Sequence, residues 1–340
     1  MKLRTHLAAR MLRPLLSAAM HLQLLPDSLV CPVYHTVWSQ SPRFWNGRYA
    51  VKSLQQFEQD LDVLQQLGRP VGLQELLEWR QGRRSRPRGW FLSFDDGYRQ
   101  LAEEVAPLLL RRGIPATFFV CTSLVDNRQI FFEDLAGWIA DRLRTASPAM
   151  LQAARQVMAG QPLSLQQLLL ARVPHWQLLY RLAEIVQFDA SGWLASARPY
   201  LSSAQIHDLL AAGFTIGAHS VDHPLFCEIS PEAGLQQVEQ SSRWLGDHFG
   251  ICDQVFAFPY GEFQLSGSFL RSLQSVAGLR LVFGTRGIVQ DELEPFVVQR
   301  MLAEGHQGSF RSHLRDQLNL QLQRKLGGRA IVRRPAENVC

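Results

Sequence analysis

Short apolar runs alternate with helix-spaced apolar positions along most of the chain. Leu29 to Tyr34 is a continuous apolar run that predicts a buried strand ending at His35. Leu54, Phe57, Leu61, Leu64 and Leu67 recur at helical spacing, and Gly68 stops that helix. A second short helix is expected over Leu73 to Trp79. Trp90 to Phe94 reads as a strand, Leu101 to Arg112 as a helix closed by Gly113, and Ala116 to Val120 as the next strand. After residue 200 the alternation resumes. A helix over Ser202 to Ala212 precedes a strand over Phe214 to Ala218. Ser230-Pro231-Glu232 then places an N-cap before a proline at the first helical position. A strand at Val255 to Phe258, a helix at Gly267 to Val276, and strands at Leu279 to Phe283 and Val297 to Leu302 follow.

Residues 127–200 break this order. They carry helical runs around Asp134 to Leu143, Met150 to Met158, Leu163 to Leu170 and Trp176 to Val186, with no strand, and read as a helical insertion. Strands alternating with helices imply an α/β fold with a parallel sheet or barrel. In such folds the carboxyl ends of the strands share one mouth, where sites are built. Asp95, Asp96, His219 and the Pro259-Tyr260-Gly261 turn all follow strands directly, so they are expected on one rim.

Composition sets bounds without choosing a function. The 340 residues suffice for one large core, or one core with an insertion. Apolar content of 46% and charge of 19% describe a globular chain. The formal charge of +5 gathers in Arg80, Arg83, Arg84, Arg86 and Arg88, and again in Arg324, Lys325, Arg329, Arg333 and Arg334. Solvated surface accounts for such clusters; attraction to headgroups or a diphosphate-linked glycolipid is the sharper alternative. No helix-turn-helix, zinc-finger or RNA-stacking signature accompanies the charge, so nucleic acid is not an expected partner. Five cysteines, an odd number without a CxxC pair, indicate neither a disulfide framework nor a thiolate metal site and favour a reducing compartment.

The first residues mix leucine with Arg10, Arg13 and His21, which interrupt any signal-peptide core. No run reaches the ~20 apolar residues of a spanning helix. Residues 1–28 are therefore expected to hold a basic amphipathic helix that packs on the domain or lies on a membrane surface. The expected location is cytoplasmic, with packing of that helix on the domain as the first expectation and membrane association as the alternative.

Asp95 and Asp96 could simply cap a following helix, and a lone histidine is usually structural. Their combination carries more. One carboxylate with His219 and His223, four residues apart, makes a facial metal site with open positions. The other carboxylate is left free as a base.

Here the chain resembles the polysaccharide deacetylases of the NodB-homology type, carbohydrate esterase family four. Phe94-Asp95-Asp96-Gly97 is similar to the family's first motif, which implies Asp95 as catalytic base and Asp96 as metal ligand. His219-Ser220-Val221-Asp222-His223 resembles the second motif, whose two histidines complete the site. Phe256-Ala257-Phe258-Pro259-Tyr260-Gly261 resembles the third, in which the backbone N–H at the tyrosine position stabilises the oxyanion. Tyr34-His35-Thr36-Val37 resembles a strand seen in members acting on bacterial envelope polysaccharides.

Two positions depart from the pattern. The third motif's arginine, which pairs with the base, is Ala257 here, and Arg300 is a candidate replacement. The family's late general-acid histidine has no evident counterpart; His306 and His35 are the candidates. The resemblance implies a distorted (β/α) barrel over residues 29–310 with the insertion at 127–200, then a basic tail at 311–340. It also implies a divalent metal ion, zinc first, and a hydrolase removing N-acetyl groups from amino sugars of a cell-surface polysaccharide or its lipid-linked precursor. Alternatives are a deformylase or cyclic-imide or ureide hydrolase on the same fold, and a non-catalytic glycan-binding relative.

Overall fold

The computed structural model describes residues 29–340 except 47, 49, 171–175, 306, 307, 329, 330 and 340. The expected N-terminal helix and His306 therefore lie outside the described residues. Within them, no helix is long and apolar enough to cross a membrane.

The strands are β1 (Leu29–Val30), β2 (Pro32–Tyr34), β3 (Gly89–Trp90), β4 (Leu92–Phe94), β5 (Ala116–Val120), β6 (Thr215–Ala218), β7 (Gln254–Ala257), β8 (Leu279–Gly284), β9 (Gln290–Asp291), β10 (Val297–Gln299), β11 (Met301–Leu302) and β12 (Ile331–Val332). Eight form one sheet in the order β10-β8-β7-β6-β5-β4-β2-β11. Every pairing in it is parallel.

The run expected as one last strand, Val297 to Leu302, splits around Arg300. Its first half pairs with β8 and its second half with β2. The two edges of the sheet are thus consecutive pieces of chain, and the sheet is a nearly closed barrel. Leu29 to Tyr34 and Trp90 to Phe94 split likewise, into β1 with β2 and β3 with β4.

The barrel interior is filled by Cys31, Phe91, Phe119, Val255, Ala257, Leu281, Phe283 and Val298. Gly217 on β6 is required by this filling, since a Cβ there would lie 2.5 Å from the Phe119 ring. Outside, helices cover the barrel. α1 (Leu54–Leu67) starts with a reciprocal Ser53–Gln56 capping box and buries Phe57, Leu61 and Leu64. α2 (Leu73–Arg80) adds Leu73, Leu76 and Leu77 to the interior cluster.

The helix expected over Leu101 to Arg112 begins with a wider π-helical stretch, Leu101–Val105, before α3 (Ala106–Arg112). The insertion contributes α4 (Phe132–Leu143), α5 (Pro148–Val157), α6 (Leu165–Leu168), α7 (Gln177–Ile185) and α8 (Ala190–Ala197). These bury a core of their own that also takes in Trp45, Tyr98 and Cys121. Then come α9 (Ser203–Ala211), α10 (Pro231–Phe249) and α11 (Gly267–Ser272). α10 is capped by Ser230 and closed by left-handed Gly250.

Two expectations need correction. The basic tail is instead α12 (Phe310–Leu326), whose Phe310, Leu314 and Leu318 join the main core, followed by β12 on β9. Cys227 is disulfide-bonded, while Cys31, Cys121 and Cys252 are free thiols; an odd count does not exclude a single bond. In the Arg-rich linker, Arg84 pairs with Glu75 and Arg86 with Glu294.

Candidate active site

Asp95 extends β4 by one ladder bond, its N–H donating to the Tyr34 carbonyl at 2.9 Å. The chain then turns sharply. Asp96 sits in the left-handed region at φ 73°, as do Ser220 at 68°, His223 at 62° and Tyr260 at 60°. For a non-glycine residue this conformation is uncommon and held only by surrounding structure; it clusters at functional sites. In the histidine loop the Ser220 hydroxyl accepts the His223 N–H at 2.9 Å. That bond explains why a short polar residue follows His219.

Asp96, His219 and His223 meet, each offering one ligand atom within 4.8 Å of the others. Asp96 Oδ1 lies 3.5 Å from His219 Nε2 and 3.4 Å from His223 Nε2. Asp96 Oδ1 and His219 Nε2 are buried and neither has a hydrogen-bond partner. Orphaned buried groups of this kind are costly, and a cation among them removes the cost. The other ring nitrogen, His219 Nδ1, is 2.8 Å from the Ala257 carbonyl. An Nδ1–H donated there leaves Nε2 as the lone-pair atom facing the cluster. The donor set of one carboxylate and two imidazoles thus fits a divalent ion. Asp222 stays outside it, accepting from Gln237 Nε2 at 2.7 Å.

Asp95 has a different partner, although its Oδ2 lies 3.9 Å from His219 Nε2. Arg300 grips it with both arms, Nη1 to Oδ1 at 2.7 Å and Nη2 to Oδ2 at 2.8 Å. Nη1 also reaches Ser93 Oγ at 3.1 Å. The guanidinium lies over the rings of Phe119 and Phe283 and is wholly buried. Burial alone would raise the Asp95 carboxyl, but the charge and hydrogen bonds of Arg300 hold it below the ordinary range. Ala257 lies in the same interior cluster as those rings. The charge absent at position 257 is therefore delivered from the point where the barrel closes.

His35 stands at the end of β2, half-buried. Its Nδ1 is 2.6 Å from Glu304 Oε1, which also accepts the His35 backbone N–H at 2.7 Å. Burial pushes the imidazole down. The hydrogen bond and charge of Glu304, with Asp96 and Asp95 behind, lift it to about 10. The pairing with Glu304 thus favours the protonated imidazole, which also feels the charges of Asp96 and Asp95.

Tyr260 is the exposed member. Its ring packs 4.7 Å from that of His223, and its hydroxyl donates to Glu133 Oε1 at 2.9 Å. Glu133 belongs to α4, and Phe131 beside it packs 4.9 Å from His223, so the insertion walls the site. The insertion is anchored by buried Asp134, which accepts from Tyr98, Tyr200 and Arg48 at 2.8, 2.7 and 3.0 Å.

Sequence reasoning missed Glu304, Ser93 and a buried network behind the Tyr260 turn. Glu262 accepts from Thr285 N–H, Gln299 Nε2 and Arg334 Nη2 at 3.1, 2.8 and 2.8 Å. Arg334 also pairs with Asp291. Gly284 has no side chain because a Cβ would lie 1.9 Å from Glu262 Oε2. Glu304 had a usable signal, since it follows β11 as Asp95 follows β4.

The profile of the polysaccharide deacetylase family matches residues 82–282, more than half of the chain. The chain belongs to the polysaccharide deacetylase family. It is thereby a hydrolase of carbon–nitrogen bonds other than peptide bonds. The deacetylase fold is similar to that of IcaB from Ammonifex degensii, at 20% identity and a TM-score of 0.53, over 86% of this chain and 97% of that one. It is also similar to the Streptococcus pyogenes deacetylase PplD, at 14% identity and 0.55, over 86% and 98%. A de-N-acetylase from Aggregatibacter actinomycetemcomitans gives 15% and 0.55, over 85% and 100%. At these identities the likeness concerns the fold. No curated protein matches the deacetylase at the sequence level.

Proposed function

We propose that this deacetylase is metal-dependent and removes acetyl groups from N-acetylated amino sugars of a polysaccharide or its lipid-linked precursor. The observation that carries the reading is the buried Asp96, His219 and His223 cluster beside a second carboxylate, Asp95, clamped by Arg300. Two adjacent aspartates with separate partners have separate tasks.

A divalent ion held by Asp96, His219 and His223, zinc by its preference for such ligands, supplies Lewis acidity and a more acidic water when bound. Asp95, kept ionised and in one rotamer by Arg300, takes a proton from the attacking water. The Tyr260 backbone N–H stabilises the charge that develops on the acyl oxygen. His35, held protonated by Glu304, gives its proton to the departing amine as the C–N bond breaks. The products are acetate and a free amino sugar.

The test is release of acetate from β-linked N-acetylhexosamine oligomers by the purified chain, run beside N-formylated analogues. Acetate release that stops with a chelator and returns with zinc is expected. Formate release alone would move the acyl specificity, and chelator-insensitive hydrolysis would overturn the metal role.

A further inference from the structure

A cavity opens beside the segments that leave β2 and β4. Its walls are the loop after β2, the turn after Asp96-Gly97, and the insertion, and its volume is about 360 Å³. That lies within the range of small-molecule sites. Trp38, Trp138 and Trp193 line it, each partly exposed, with Phe44 between them. The polar lining is Arg43, Arg99, Glu103 and Glu104 with Gln100.

The two arginines are already matched. Arg43 pairs with Asp141 at 2.9 Å and Arg99 with Glu103 at 3.0 Å, while Glu104 accepts from Ser39 Oγ at 2.6 Å. An anionic ligand would find each arginine engaged and two carboxylates opposing it. An uncharged ring with an apolar face and hydroxyl edges suits the lining: the face packs on indole and the hydroxyls meet the carboxylate and amide groups.

The position is bounded by chain length. Arg99 is three residues from Asp96, and Trp38 three from His35, so each Cα pair is at most about 11 Å apart. Trp38 also packs on Tyr98, ring centroids 5.3 Å apart.

We infer that this cavity is a second sugar site, binding an uncharged hexosamine ring of the same glycan whose acetamido group lies at Asp95 and Asp96. The inference rests on the deacetylase reading above and deepens it: the enzyme reads chain length through residues of the insertion.

The test uses the full chain loaded with zinc, and β-linked N-acetylhexosamine oligomers of one and of five units. Wild type is expected to prefer the longer substrate in kcat/KM. Ala197→Trp fills the cavity without removing any packing, and Trp193→Ala removes a wall. Each should cut the long-to-short ratio about tenfold, chiefly through KM, with Trp193→Phe restoring most of it. Tryptophan fluorescence titration with the five-unit oligomer reads binding without turnover and should lose saturable quenching in Ala197→Trp. An unchanged ratio in a folded Ala197→Trp variant overturns the inference, as does tighter binding of a phosphate-bearing glycan. Wild type that releases no acetate from either length sinks the deacetylase reading instead. The titration then still decides the cavity: quenching abolished by Ala197→Trp supports a sugar site, and no quenching overturns it.

Discussion

Arg300→Met is the sharpest perturbation of the proposed chemistry. The side chain makes two charge-assisted bonds to Asp95 and one to Ser93, all out of solvent. Methionine keeps much of the side chain's apolar bulk, so loss of packing is the smaller part. The larger part is a buried carboxylate stripped of its cation, which costs about 3–5 kcal/mol. In a chain of this size that is a fall in Tm of roughly 4–7 °C. Asp95 escapes the penalty by taking a proton or swinging away, and either change removes the base. Turnover should therefore drop by about 10²-fold or more, the usual loss for a general base. Bound metal should stay near the wild-type level, because Arg300 touches none of Asp96, His219 and His223. Arg300→Lys restores the charge but cannot span both carboxylate oxygens. It should recover most of the stability and only part of kcat. The measurements are kcat and KM on acetylated oligomers, metal content and thermal melting. A folded, metal-replete Arg300→Met enzyme turning over within threefold of wild type would refute the assignment.

The remaining predictions concern the rest of the site and its support. His219→Ala and His223→Ala should lose most bound metal by elemental analysis, whereas Asp95→Asn should keep it and lose about 10²–10⁴-fold in kcat; loss of metal in Asp95→Asn would reverse the two aspartates' roles. For His35 the folded pKa, about 10, stands above the ordinary value of 6.5. The stability from its pairing with Glu304 is thus full below pH 6.5 and is lost as pH rises towards 10. Glu304→Gln should pull the alkaline limb of the kcat–pH profile down towards neutrality and flatten that stability loss; an unmoved limb would exclude His35 as the acid. Arg334→Met strands the buried carboxylates of Glu262 and Asp291, so a loss of about 3–5 kcal/mol is expected in chemical denaturation, with partial rescue by lysine.

The barrel strands were legible because parallel strands buried on both faces run as continuous apolar stretches. Asp95, Asp96 and His219 were legible because each leaves such a stretch at its carboxyl end. What joins distant stretches was not. Glu304 lies 269 residues from His35, and Arg334 lies 72 from Glu262. Local charge patterning reads Arg334 as one more solvated cation in a basic tail, since its partners are invisible from its own neighbourhood. Val297 to Leu302 read as one strand because apolar content marks burial, not which strand lies alongside. The structure divides it, three residues on β8 and two on β2, with Arg300 at the crossing. A residue at that crossing has no place in either ladder's alternation, yet its backbone is held from both sides. Its N–H donates to Gly284 and its carbonyl accepts from Gly287, while the next N–H donates to Cys31. A long cationic side chain fixed so firmly at the seam can lie across the barrel interior and still meet Asp95 with both arms. The closure that completes the fold therefore also supplies the charge missing at Ala257, and a family position left empty in sequence is filled by topology.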